Sequence, residues 1–111
     1  MRDYKITNKE YKDYLSSLRN SIFRILPLYE EKSEYLDMYI NDTITKLIYL
    51  KYVIPELIDG YWYVETCCSI EELEDKIHYI QHSNLRRKIL NMTNLISVEI
   101  TNCESRDANV V

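Results

Sequence analysis

A chain of 111 residues, 46% apolar and 29% charged, has the size and make-up of one domain able to bury its own core. Its net charge of −4 argues against a general nucleic-acid binder, which is usually basic. Gly60 is the only glycine, where average usage would give about eight. That excludes phosphate cradles, dinucleotide fingerprints and nucleophile elbows, because each needs glycine where the backbone turns tightly or approaches a ligand.

The first predicted helix opens on a capping box, Thr7 with Glu10. Tyr11, Tyr14, Leu15, Leu18, Ile22, Ile25 and Leu26 follow at spacings of mostly three and four, which is one helix face. Pro27 predicts a break or sharp kink, since proline removes a backbone donor and disfavours helix at the residue before it. The second helix is expected from an N-cap at Ser33 to Pro55, with Glu34 and Asp37 in its first turn. Its stripe is Leu36, Tyr39, Ile40, Thr43, Ile44, Leu47, Leu50 and Ile54, widened by Ile48 and Tyr52. Between Leu47 and Ile54 only Lys51 is charged, so this end is either the centre of the core or part of a self-association face.

Asp59-Gly60 signals a turn. Tyr61-Trp62-Tyr63-Val64 has strand propensity, and Ser97 to Thr101 alternates as a strand partner would. A short helix or packed loop is the alternative for the first of these segments. Ser69 and Glu72 form a second capping box, which predicts the start of a third helix with Ile70, Leu73, Ile77 and Ile80 buried. Ser83-Asn84 reads as a stop and restart before a fourth helix through Leu85, Ile89, Met92 and Leu95-Ile96. The polar residues from Thr101 onward are expected to fray.

Three constellations are candidates for chemistry. His78 and His82 are four apart, a spacing that places two imidazoles on one helix face beside Glu71 and Asp75. No second carboxylate–histidine set repeats the pattern, so a solvated face is the simpler reading and no metal or cofactor is expected. Asn84, Arg86, Arg87 and Lys88 open the fourth helix as the base-reading residues of a helix-turn-helix do, over residues 70–95. The preceding acidic run, Glu71, Glu72, Glu74 and Asp75, would repel phosphate. The adjacent pair Cys67-Cys68, with Cys103, lacks the glycine turn and free amides of a nucleophile site and reads as reduced, inert thiols. The densest aromatic run is Tyr61, Trp62 and Tyr63. Three adjacent rings cannot all point inward, so at least one is exposed or covered by a partner.

No stretch reaches the length of a membrane span, and Met1 to Lys5 lacks a signal-peptide core. An odd number of cysteines is not a secreted disulfide framework, so a cytoplasmic location is expected. Charge is unevenly placed, with mildly basic ends and an acidic middle. Fourteen isoleucines and 11 tyrosines against one alanine and one glycine fit the AT-rich codons of a low-GC bacterium or its phage. No family resemblance is apparent. The expected fold is all-α, about four helices in a small bundle or orthogonal array over residues 1–111, with a minor two-stranded β element as an open alternative and a frayed tail at about 102–111. The expected function is a non-catalytic protein–protein interaction module, an adaptor, inhibitor or small subunit from a phage or mobile element. Its partner is another protein or a second copy, and its contact residues are Tyr61, Trp62 and Tyr63. A DNA-binding regulator and a small metal protein using His78 and His82 are the alternatives.

Overall fold

A computed structural model of the chain describes residues 6–108. Four helices follow in order: α1 (Asn8–Glu30), α2 (Leu36–Val53), α3 (Tyr61–Lys76) and α4 (His82–Ala108). A 3₁₀ turn, Pro55–Asp59, joins α2 to α3. Among the described residues there is no strand, and no helix is long and apolar enough to cross a membrane. Each helix lies beside two neighbours: α1 beside α2 and α4, and α3 beside α2 and α4. Cross-links fix the directions. Tyr11 on α1 reaches Glu99 on α4, and Glu30 at the other end of α1 reaches His82. Tyr14 stacks on Tyr49, while Ser21 bonds to Asp42, so α2 runs back along α1. The result is an up-down-up-down four-helix bundle of 49 × 23 × 21 Å.

The core follows from the stripes. Leu15, Leu18, Ile22 and Ile25 on α1 meet Ile40, Leu47 and Leu50 on α2, Ile70 and Leu73 on α3, and Leu85, Ile89, Met92 and Ile96 on α4. Thr43, Thr66 and Thr93 are buried, and each hydroxyl donates to a carbonyl four residues back on its own helix, while the buried Ser21 hydroxyl donates to Asp42. No buried side-chain polar atom among the described residues lacks a partner.

Four expectations are corrected. Helix α1 continues through Pro27 to Glu30. Pro27 and Phe23, whose carbonyl loses its usual donor, both lie on the exposed face, where water can replace the lost bond. Helix α3 begins at Tyr61, not Ser69, so Tyr61 to Val64 is its first turn and the β alternative is overturned at both ends, Ser97 to Thr101 being α4. The spacing Tyr63, Thr66, Ile70, Leu73 carries one buried face back across Ser69. Ser33 does not cap α2. Its hydroxyl accepts from the Tyr35 amide in the preceding turn, and the helix starts at Leu36. The polar end from Thr101 is helical to Ala108, because Cys103 is buried there and its carbonyl accepts from Asn8. Residues 109–111 of the expected tail, and residues 1–5, lie outside the described residues.

The α1–α2 connection uses a left-handed residue where glycine is usual. Lys32 has φ 54°, with its amide bonded to the Tyr29 carbonyl and the Ser33 amide to the Leu28 carbonyl, the paired bonds of a Schellman stop. A side chain in that region costs about 1–2 kcal/mol, partly offset on substitution by the extra freedom glycine has when unfolded. Lys32→Gly is therefore expected to stabilise the fold by about 0.5–1 kcal/mol in urea titration. The lone Gly60 serves differently. It takes an extended conformation before α3, and a Cβ there would sit 3.3 Å from the Leu57 carbonyl.

Candidate interaction surface and bundle-end cleft

The aromatic run divides by depth. Tyr63 is buried, and its hydroxyl donates to the Leu47 carbonyl at 2.6 Å, tying α3 to α2. Trp62 is half-buried with its ring edge-on to Tyr63, centroids 5.7 Å apart. Tyr61 is 72% exposed. A helix rotates successive residues by about 100°, which is why three neighbours face the core, its edge and the solvent. Trp62 borders a cleft of about 510 Å³ at this end of the bundle, whose other walls include Ile6, Tyr11, Leu57 and Glu99.

The histidines are not brought together. Lys76 ends α3, and α4 starts at His82, so the fourfold spacing spans a turn and not a helix. The Nε2 atom of His78 lies 3.5 Å from Asp37 on α2, and that of His82 lies 2.8 Å from Glu30 on α1. Tyr29 clamps the same turn by donating to the Ile80 carbonyl at 2.7 Å. Among the described residues no three histidine, cysteine, aspartate or glutamate side chains gather as a metal site would require.

The basic start of α4 is partly spent on surface contacts within the molecule. Lys88 pairs with Glu72 of α3, which holds that carboxyl below its usual range, and Arg87 donates to Asn84 of its own helix at 3.2 Å. Arg86 is exposed. Helices α3 and α4 are antiparallel bundle neighbours, not the pair crossing at about 90–120° that places a recognition helix in a groove.

The three cysteines sit at three depths: Cys68 exposed, Cys67 half-buried and Cys103 buried. Burial pushes the Cys67 thiol up, and the Tyr63 hydroxyl beside it offsets part of the rise. Because the thiolate is the reactive form, a brief iodoacetamide pulse should label Cys68 first, Cys67 more slowly and Cys103 only in denaturant. Peptide mass spectrometry reads the order, and early labelling of Cys103 would contradict the burial described above.

A surface only partly legible in the sequence is the outer face of α2. Leu47, Leu50 and Val53 are buried, whereas Met38, Ile48, Tyr49 and Tyr52 are exposed, with Asn41 and Thr45 between them. Ile48 and Tyr52 thus do not widen the core stripe; they lie on the opposite side of the helix. Residues 38, 41, 45, 48 and 52 recur at three and four and carry no charge over about 21 Å of helix. Flanking polar contacts hold α2 in place. Ser21 donates to Asp42 at 3.0 Å, and Lys46 bonds to both, its ammonium holding the Asp42 carboxyl below the usual range. In comparisons with known proteins, no family model matches the chain, and no curated protein or solved structure is significantly similar to it.

Proposed function

We propose that the chain is a non-catalytic interaction module that binds another protein through the outer face of α2. One observation supports the reading: Met38, Ile48, Tyr49 and Tyr52 are exposed along a helix face with no charged residue on it. Ile48 is 63% and Met38 56% exposed. Exposed apolar side chains grouped on one helix face mark interaction sites, and methionine and tyrosine are enriched where partners dock. A second copy of the chain is an eligible partner, because an uncharged face meets its own image without like-charge repulsion. A cytoplasmic setting with reduced thiols, and an accessory role for a phage or mobile element of a low-GC bacterium, belong to the same proposal.

Affinity capture from native-host lysate, with nuclease and with the Ile48→Asp variant alongside, tests it. A stoichiometric protein, or a second copy, that survives nuclease and is lost from the variant supports the proposal. A partner held equally by the variant contradicts it. Partners that vanish with nuclease would shift the function to Arg86 and Arg87 at the start of α4.

A further inference from the structure

We propose that the occupant of the outer face of α2 is a second copy of this chain, docked with the two α2 helices antiparallel about a twofold axis. This inference rests on the interaction reading above and names its partner. Helix α2 holds four charged side chains, Asp37, Asp42, Lys46 and Lys51. The acids lie in its first half and the bases in its second. Both the outer pair and the inner pair are centred on position 44. The two pairs also lie on different flanks of the uncharged face. Asp37 is 3.5 Å from His78, just past the end of α3, and Lys51 lies close enough to Cys67 of α3 to act on its thiol. Asp42 and Lys46 both bond to Ser21 of α1.

A twofold axis perpendicular to both helices reverses the direction of α2 and sets each flank beside the same flank of the second copy. On the α3 side, Asp37 of one copy then lies level with Lys51 of the other, twice by symmetry. On the α1 side the two Asp42–Lys46 pairs meet head to tail, so charges alternate around the four groups. Between the flanks Met38 lies level with Tyr49 and Tyr52, and Asn41 with Ile48. The short side chains of Asn41 and Thr45 fall near the axis, where two helices approach most closely. A parallel arrangement would set Asp37 beside Asp37 and Lys51 beside Lys51, and would align the two helix dipoles. Acids early and bases late suit the dipole of a single helix as well. That preference does not require the two pairs to share a midpoint or to fall on matched flanks.

One helix face is smaller than a standard interface, so dimerisation is expected at micromolar concentrations. Sedimentation equilibrium of the full chain from about 5 to 500 µM, at constant ionic strength, tests it. A monomer–dimer equilibrium is expected, lost in Ile48→Asp. Asp37→Lys alone and Lys51→Glu alone each set like charges level at two places, and each should dimerise about tenfold more weakly than the parent. Mixed in equal amounts, the two variants restore opposite charges at both places, and the dimer should return. Circular dichroism verifies each fold, and Ile48→Asp, at an exposed position, keeps the proposal testable should a charge variant unfold. A dimer that persists in folded Ile48→Asp, or charge variants whose mixture dimerises no better than each alone, would overturn the proposal. So would a parent that stays monomeric throughout the range. If that monomer still captures a different protein through α2, the second copy fails as occupant while the interaction reading stands. If it captures nothing through α2, both fail.

Discussion

Leu50→Ala is expected to lower the unfolding free energy by about 2–5 kcal/mol, the cost of removing a fully buried leucine from a close-packed core. Leu50 has no exposed surface and belongs to the core from the last turn of α2. The shortened side chain loses its transfer energy, and the neighbouring leucines and isoleucines cannot fully collapse into the space. For a domain of this size the melting temperature should fall by about 10 °C or more. Ile48→Ala, two residues away, deletes the same hydrocarbon but from the solvent side. Its effect should stay within about 0.5 kcal/mol. Paired urea titrations measure both. Similar losses at the two positions would mean that α2 is rotated from the orientation described here.

Ile48→Asp carries the second large effect, on association and not on folding. Isoleucine and aspartate have similar helix propensities, and the site is exposed, so stability should change little. A carboxylate in the middle of an apolar docking face would have to be desolvated without a partner. That places the loss at about 2 kcal/mol or more, roughly 30-fold in affinity. Isothermal titration against the captured partner gives the number, or sedimentation equilibrium where the partner is a second copy. Unchanged affinity in a folded Ile48→Asp variant would remove α2 from the interface.

The sequence makes the fold class readable because the stripes of α1 and α4 are separated from their polar sides by regular spacing. Leu15, Leu18, Ile22 and Ile25 could face only one way. The outer face of α2 was harder to read for the converse reason. This helix is apolar on both sides, so periodicity gave no polar side against which to orient Ile48 and Tyr52. The Ser69–Glu72 pattern points to the wrong start for α3 because it is a local signal, indistinguishable in mid-helix from a true cap. The actual start at Gly60 has no side-chain cap bond. His78 and His82 failed as a pair because a spacing of four places residues on one face only if the helix is continuous, and the chain turns between them. The cleft beside Trp62 joins residues from α1, the 3₁₀ turn, α3 and α4, as far apart in sequence as Tyr11 and Glu99. No local pattern links such positions.

Hydroxyl-radical footprinting reads the contact role of the outer face of α2 residue by residue. Methionine and tyrosine side chains record their own exposure, so Met38, Tyr49 and Tyr52 report on that face. Tyr79, 74% exposed in the turn between α3 and α4, serves as the internal control. Oxidation is compared between dilute purified protein and the same protein in native-host lysate. Protection of Met38, Tyr49 and Tyr52 in the lysate, with Tyr79 unchanged, is the expected result. Equal oxidation of the α2 residues in both samples, or protection confined to Tyr79, would contradict it.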